Sequence, residues 1–183
     1  FQLAMVPAIS ALAAGNAVIL KPSEVTPSVG EIAGQMCERA GLPKHLVQVV
    51  YGAGETGKKL IEARPDKIFF TGSPATGKRI MEAAAKELIP LELELGGKDA
   101  MIVFADADLD RAVPGALYGA FANSGQVCVA VERLYVQEQI REQFLESLVA
   151  QAKKIRVGTG YDADMGAITF DRQMAIVEEL VQD

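Results

Sequence analysis

Short apolar runs alternate along the chain with longer stretches in which apolar residues recur every three or four positions. Four such runs, rich in Val, Ile, Leu and Phe, lie at 17–20, 46–51, 67–71 and 91–95. They predict short strands, and the stretches between them predict amphipathic helices, the clearest of which starts at Thr26 and ends before Gly41. Strands and helices that alternate through short connections predict parallel strands joined by helical crossovers, a doubly wound α/β sheet.

The first twenty residues, Phe1 to Leu20, carry no charge and are long enough to span a bilayer as a helix. However, Pro7 interrupts the segment, Gly15 and Asn16 form a helix-ending signal, and no basic residue precedes the apolar part. The segment therefore predicts a buried helix through about Ala14, with no membrane partner. Without a leader pattern or paired cysteines, we expect a cytoplasmic protein.

The pattern changes after Gly96 and Gly97. Beyond these glycines the spacing predicts a strand at 100–104, a helix at 108–123, a strand at 133–136, a helix at 139–156 and a helix that starts at Asp171. We therefore place a domain boundary here and expect one domain over 1–95 and a second over 96–183.

Composition narrows the classes of protein. Half of the 183 residues are apolar (50%), enough for a sizeable core, which excludes a disordered chain. Asp and Glu number 24 against 18 Lys and Arg, a net charge of −6, so a nucleic acid is a poor candidate partner. Two cysteines and one histidine are too few for a structural zinc site, and we expect no metal.

Gly52, Gly54 and Gly57 form a G-x-G-x-x-G pattern between a predicted strand and a predicted helix, the context of a dinucleotide-binding loop. The acidic residue expected at the end of the next strand is absent, because that strand ends in Phe70 and Thr71. A simple turn that uses glycine for its conformational freedom is the alternative.

Two segments, 52–58 and 72–78, also match the spacing of a phosphate-binding P-loop, G-x4-G-K. In both, the hydroxyl residue that would hold magnesium is replaced, by Lys59 in the first and by Arg79 in the second. A nucleotide triphosphatase therefore remains only as an alternative from a different class.

Two residues are candidates for chemistry, Glu94 and Cys128. Alternation over 91–95 turns the glutamates to one face, and Glu94 lies at the carboxyl end of its strand, where ligands approach parallel sheets; a solvated acidic face is the alternative. Cys128 follows a run of small and polar residues, although it could also be a buried apolar side chain. Cys37 lies on an apolar helical stripe and is expected in the core. His45 is expected to face solvent, so a Cys-His pair has only a poor candidate base.

Four segments occur in an order that resembles one known family. They are Lys21-Pro22-Ser23-Glu24, Phe70-Thr71-Gly72-Ser73, Leu93-Glu94-Leu95-Gly96-Gly97-Lys98 and Asn123-Ser124-Gly125-Gln126-Val127-Cys128. Together, and with 34 positions from Glu94 to Cys128, they resemble the motifs of the aldehyde dehydrogenase superfamily over essentially the whole chain. The resemblance implies NAD(P)-dependent oxidation of an aldehyde, a small-molecule partner, to a carboxylic acid.

The resemblance gives Cys128 and Glu94 their roles. Cys128 would attack the aldehyde carbon, and the resulting thiohemiacetal would lose a hydride to the nicotinamide and become a thioester. Glu94 would act as the general base for the hydrolytic water. An enzyme that passes the acyl group to coenzyme A, and a non-catalytic relative with the same fold, are the alternatives.

The resemblance also implies a cofactor site, with NAD as the expected cofactor and NADP as the alternative. Its residues are Lys21, Ser23, Glu24, Gly54, Thr71, Gly72, Ser73, Gly77 and Leu95. The Glu24 carboxylate would accept hydrogen bonds from a ribose 2′-hydroxyl and repel a 2′-phosphate, which favours NAD. Gly72 and Ser73 would meet the pyrophosphate at the start of a helix.

By the same resemblance, 1–95 would form most of a Rossmann-like dinucleotide-binding domain, and 96–183 would form the first part of an α/β catalytic domain. The family's oxyanion asparagine has no match here, since Asn16 lies outside its motif. From this, and because Phe1 is not Met, we expect a central fragment that lacks both ends and has little activity alone. The parent protein would be a homodimer or homotetramer.

Overall fold

The computed structural model describes residues 1–182 and divides the chain into two compact units, Phe1–Leu95 and Gly96–Asp183. The elements of the first unit are α1 (Gln2–Ala13), β1 (Val18–Leu20), α2 (Pro27–Arg39), β2 (Val47–Val49), α3 (Gly54–Glu62), β3 (Ile68–Thr71), α4 (Pro74–Ala85) and β4 (Leu91–Glu94). Those of the second unit are β5 (Asp99–Val103), α5 (Leu109–Phe121), β6 (Val131–Val136), α6 (Arg141–Ala152) and α7 (Asp171–Gln182).

The strands form three parallel pairs, β1 with β2, β3 with β4 and β5 with β6. One helix connects the strands of each pair, α2, α4 or α5, so the fold is built from strand-helix-strand units. The predicted α/β class with parallel strands is confirmed. The hydrophobic pattern did not predict that the strands would hydrogen-bond two by two.

Several helix starts follow from local chemistry. Pro27 and Pro74 occupy the first turn of their helices, where a missing N–H costs nothing. The Asp108 carboxylate accepts a hydrogen bond from the Asp110 N–H at 3.0 Å and caps α5. Such signals explain why the starts of α2 and α5 agree with the predicted positions to within a few residues.

The predicted helix over 139–156 is too long at both ends. A 3-10 turn occupies Glu138–Ile140, and α6 ends at Ala152. Beyond it, the Lys154 and Ile155 N–H groups donate to carbonyls three residues back, which tightens the last turn. The chain then closes a loop in which Val157 bridges to Met165.

The core of the first unit contains Met5, Ala33 and Cys37, and Cys37 is only 9% exposed. Its predicted core position is confirmed. The prediction that the first helix is buried is wrong for most of α1, where Leu3 is 64% exposed and Ile9 is 55% exposed. The reason is that only one side of α1, with Met5 and Ala8, packs against other described residues of the unit.

The core of the second unit is formed by Val103 of β5, Val113 and Ala116 of α5, and Phe144 of α6. Phe144 is fully buried and Val113 is 1% exposed. The helices predicted at 108–123 and 139–156 do pack on this core, with Leu109, Leu117 and Leu148 against its buried residues. Among residues 1–182, no helix has the length and apolarity needed to cross a membrane.

Candidate functional site

The carboxyl ends of β1 and β2 are joined by the Lys21 side chain. Lys21 follows β1, and its Nζ donates to the Gly52 carbonyl at 2.7 Å and to the Pro22 carbonyl at 3.0 Å. Gly52 follows β2 with a φ of +140°, a conformation that favours glycine. Lys21 Nζ also lies 3.5 Å from Glu24 Oε2. The first motif is therefore a small polar cluster at one end of a parallel strand pair.

Glu24 is ionised and exposed in this cluster. A hydrogen bond from its own backbone N–H lowers the pKa of Glu24; partial desolvation opposes this, and the nearby Lys21 ammonium lowers the pKa further. The Ser23 hydroxyl accepts a hydrogen bond from the Val25 N–H at 3.2 Å. Ser23 thus shapes the turn that carries the Glu24 carboxylate into solvent.

The carboxyl ends of β3 and β4 lie side by side. Thr71 pairs with Glu94 in the parallel register, and the Gly72 N–H donates to the Glu94 carbonyl at 3.0 Å. The Ser73 hydroxyl accepts from the Thr76 N–H at 3.2 Å and caps α4. Six of the proposed site residues therefore belong to one strand-helix-strand unit: Thr71, Gly72, Ser73, Gly77, Glu94 and Leu95.

Gly77 lets α4 approach the end of β4. A Cβ added at this position would lie 2.8 Å from Leu95 Cδ2, closer than real side chains approach. Gly54 differs, since a Cβ there would have open space within 4 Å. Of the three glycines in the G-x-G-x-x-G pattern, Gly52 alone has a positive φ, which agrees with the simple-turn interpretation of that loop.

The Glu94 side chain is exposed, as the alternating pattern of β4 predicted, while Leu93 and Leu95 are half-buried. Glu94 belongs to the first unit and Cys128 to the second. His45, in the first unit, is exposed as expected.

Cys128 is an exposed free thiol on a structured loop. The loop begins with a 3-10 turn at Ala122–Gly125 in which Asn123, Ser124 and Gly125 have φ values of 51°, 61° and 72°. Left-handed backbone is costly for residues with a Cβ, and Asn tolerates it best among them. The thiol therefore follows a run of three left-handed residues. Because Cys128 is exposed, the alternative that it is a buried apolar side chain is wrong.

Side-chain hydrogen bonds tie this loop to residues 166–169. The Ser124 hydroxyl donates to the Gly166 carbonyl at 2.7 Å, and the Thr169 N–H donates to Gln126 Oε1 at 3.0 Å. Gln126 Nε2 also donates to the Asn123 carbonyl at 3.0 Å, and Asn123 Nδ2 donates to the Gln126 carbonyl at 3.2 Å.

On the other side of Cys128, the chain enters β6, which pairs with β5. An ion pair between Lys98 and Glu132 joins the starts of these two strands. Gly97 lies beside the loop, since a Cβ placed there would be 3.9 Å from the Cys128 carbonyl oxygen. The last residues of the Leu93 to Lys98 motif thus support the cysteine loop within the second unit.

The hydrogen-bond partners in this loop were not predicted from the sequence. The Asn-Ser-Gly run at 123–125 is a local signal for a left-handed turn, since Asn and Gly adopt that conformation most readily. No local signal connects Gln126 to Thr169, because that contact spans 43 positions.

Asn16, which did not match an oxyanion motif, donates through Nδ2 to the Ala11 carbonyl at 3.0 Å and so helps to end α1. No group of three His, Cys, Asp or Glu residues within 1–182 could hold a metal ion.

An α/β protein with parallel strands, polar clusters at strand ends and an exposed cysteine on an ordered loop is thus defined by the structure. Residues 1–183 match the model of the aldehyde dehydrogenase family, and the chain belongs to that family. The resemblance found in the sequence motifs is confirmed.

Similar proteins include 4,4'-diapolycopene aldehyde oxidase of Methylomonas sp, which is 52% identical over 100% of this chain and 34% of its own length. A solved structure of an NADP dependent enzyme from E. coli has a TM-score of 0.90 at 40% identity, covering 94% of this chain and 37% of that chain. Betaine aldehyde dehydrogenase of Staphylococcus aureus, solved in complex with NAD+, has a TM-score of 0.89 at 35% identity, covering 98% and 36%. The chain therefore spans about a third of the length of the relatives it matches.

Proposed function

We propose that this chain carries the cofactor-binding and nucleophilic residues of an enzyme that oxidises an aldehyde to a carboxylic acid with NAD as hydride acceptor. The observation that carries the proposal is the exposed Cys128 thiol on an ordered loop within a motif of the aldehyde dehydrogenase family. In this proposal, 1–95 is most of the dinucleotide-binding domain and 96–183 is the first part of the catalytic domain.

The residues of the first unit suit a dinucleotide. Ribose hydroxyls need acceptors, which the ionised Glu24 supplies beside Lys21. Pyrophosphate favours a helix N-terminus, and the first turn of α4 has no acidic residue to oppose it. A Cβ at Gly72 would lie 2.5 Å from the Phe70 ring, so glycine keeps the backbone open at this loop.

We assign Lys21, Ser23 and Glu24 to the adenosine ribose end and Gly72 and Ser73 to the pyrophosphate. The Ser73 hydroxyl is already hydrogen-bonded to Thr76. Ser73 would therefore contact the pyrophosphate through its backbone, while its side chain caps the N-terminus of α4. The remaining members of the proposed cofactor site are Gly54, Thr71, Gly77 and Leu95. When bound, NAD would accept the hydride.

Cys128 performs the covalent step. Its sulfur, as the thiolate, bonds to the aldehyde carbon, and the carbonyl oxygen becomes the oxyanion of a thiohemiacetal. In this proposal the backbone N–H of Cys128 would donate a hydrogen bond to that oxyanion. As the carbonyl re-forms, the carbon gives up its hydride and remains bound to Cys128 as a thioester.

Glu94 completes the cycle in this proposal. Its carboxylate takes a proton from a water molecule, the water oxygen attacks the thioester carbon, and the Cys128 thiolate leaves with the carboxylic acid released. The exposed side chain at the end of β4, followed by Gly96 and Gly97, is suited to this role because solvent reaches it.

The first test is NADH formation by the protein expressed from its complete reading frame. Aldehydes of different character are compared: a long apolar polyene aldehyde, betaine aldehyde and succinate semialdehyde, since relatives carry these names. Cys128→Ala should abolish activity, whereas Cys37→Ala, which alters a thiol in the core, should retain it. Equal activity in wild type and Cys128→Ala would contradict the proposed nucleophile. Labelling of Cys128 no faster than that of Cys37, without aldehyde oxidation, would favour the non-catalytic relative.

The second test separates Glu94 from its neighbour on the same strand face. Glu94→Gln should stall hydrolysis, so that an acyl adduct accumulates on Cys128 after one turnover and is seen by intact mass. Glu92→Gln is the matched control, because Glu92 is also exposed but pairs with Lys67 at 2.7 Å. Turnover that depends on added coenzyme A, with an acyl-coenzyme A product, would instead favour the acylating alternative.

A further inference from the structure

The Cys128 loop is held in an unfavourable backbone conformation. Asn123 and Ser124 are non-glycine residues with φ values of 51° and 61°, and Gly125 continues the run at 72°. Such a run persists only where surrounding interactions hold it, and strained backbone concentrates at functional sites.

Gln126 contacts both parts that meet at this loop. Its Nε2 donates to the Asn123 carbonyl at 3.0 Å, which closes the left-handed run on itself. Its Oε1 accepts from the Thr169 N–H at 3.0 Å, which joins the run to residues 166–169. Both functional groups of one amide are therefore used, two positions before Cys128.

Residues 166–169 extend an ordered loop. The Arg156 guanidinium binds the Asp164 carboxylate through two hydrogen bonds, Nε at 2.9 Å and Nη2 at 3.0 Å. The Gly158 N–H donates to the Met165 carbonyl at 3.0 Å. The segment to which Gln126 and Ser124 are hydrogen-bonded is thus held by contacts of its own. It can therefore restrict the position of the cysteine loop.

We propose that Gln126 is a positioning residue that holds the Cys128 loop against the 166–169 segment. It acts through the Asn123 carbonyl and the Thr169 N–H. The inference rests on the proposed function, because it assigns Gln126 a role for the Cys128 nucleophile. Loss of the bridge should misplace the thiol and its N–H, a change to which covalent catalysis is sensitive.

The chain offers a matched control at Gln137. Its Oε1 accepts from the Ala105 N–H at 2.7 Å, so it also bridges two segments of the second unit through a side-chain amide. Gln126→Met and Gln137→Met each remove one such bridge while keeping a side chain of similar length. A merely structural role predicts similar consequences for both variants.

The kinetic experiment uses the protein expressed from its complete reading frame. Gln126→Met should lower kcat for aldehyde oxidation about 10- to 100-fold, with KM for NAD unchanged, whereas Gln137→Met should leave kcat unchanged. Gln126→Glu keeps an acceptor for the Thr169 N–H and loses the donor to the Asn123 carbonyl, so its kcat should be intermediate. A kcat equal to wild type in Gln126→Met, or equal losses in Gln126→Met and Gln137→Met, would overturn the proposal.

Hydrogen exchange tests the bridge separately from the reaction. Amides of 123–128 and of 166–169 should exchange faster in Gln126→Met and not in Gln137→Met. If wild type oxidises no aldehyde but the two segments still loosen together, the bridge stands and the role in catalysis falls with the proposed function. Unchanged exchange in both segments of Gln126→Met overturns the positioning role whether or not the wild type is active.

Discussion

Two charged residues, Lys21 and Glu24, lie at the carboxyl ends of β1 and β2. Lys21 holds the Gly52 carbonyl at 2.7 Å, and Glu24 stays ionised beside it with a lowered pKa. A carboxylate accepts from ribose hydroxyls and repels an added phosphate, so Glu24 sets the preference between NAD and NADP in our proposal.

Glu24→Gln should therefore shift the cofactor preference toward NADP. Removing one repulsive charge near an exposed phosphate is worth about 1 kcal/mol, which corresponds to roughly a five- to tenfold rise in the NADP to NAD ratio of kcat/KM. The ratio is measured by initial rates with each cofactor at low ionic strength, where surface charge acts most strongly.

Glu31→Gln is the control for this change, because it removes the same charge from an exposed position on α2. A cofactor ratio that moves equally in both variants would mean that net charge, and not the position of Glu24, sets the preference.

At the scale of elements, small residues determine how closely helices approach the strand ends. A Cβ at Gly30 of α2 would lie 2.4 Å from Pro22 Cγ, and Pro22 is a buried ring that cannot swing away. This approach holds α2 against the chain that leaves β1, where Lys21 lies.

Gly30→Ala should lower the free energy of unfolding by about 1 to 3 kcal/mol, because overpacking outweighs the better helix propensity of Ala. Gly57→Ala in α3 is the opposite case, since a Cβ there meets open space, and it should raise stability by about 0.5 to 1 kcal/mol. Urea unfolding of both variants measures the difference. Stabilisation by Gly30→Ala would mean that Pro22 can give way.

An ion pair between Arg156 and Asp164 joins two parts of the loop between α6 and α7. Side-chain hydrogen bonds from Arg156 lower the pKa of Asp164 to about 2, with a backbone hydrogen bond from the same residue contributing next. Because the folded-state pKa is lowered, this stabilisation is complete above the unfolded value of about 3.9 and is lost as the pH falls toward the folded value.

We therefore expect the 156–169 loop to loosen between about pH 4 and pH 2. Hydrogen exchange of the Gly158 and Met165 amides, corrected for intrinsic rates, measures this. Asp164→Asn should exchange faster at neutral pH and lose the dependence in that window. An unchanged dependence in Asp164→Asn would assign it to another carboxylate.

At the scale of the whole molecule, each unit has its own core. Met5, Ala33 and Cys37 form that of the first unit, and the second is built around the fully buried Phe144 with Val113. Local stability follows the core to which a segment belongs.

Phe144→Leu should destabilise the second unit by about 1 to 2 kcal/mol through lost packing. Hydrogen exchange should show weaker protection in β5, α5, β6 and α6, with the strands of the first unit little changed. Phe121→Leu is the control, because Phe121 is 41% exposed and its truncation should have little effect. An equal loss of protection in both units would contradict separate cores.

Local patterns in the chain predict most of the elements, the parallel α/β class and the family. The start of α5 at Asp108, and the alternation that exposes Glu94, are local, so the chain's own pattern predicts them. Motifs such as the one ending at Cys128 are also local, which is why the order of four short segments was enough to indicate the family.

Packing in three dimensions decides which helix faces find a partner and which distant groups meet. The α1 helix was expected to be buried, but burial depends on what packs against a face, and among the described residues of α1 only Met5 and Ala8 are buried. The Lys21 bond to Gly52 spans 31 positions, and the Gln126 bond to Thr169 spans 43. Such contacts leave no periodic or local signal, because they arise only when strands pair and loops close in space.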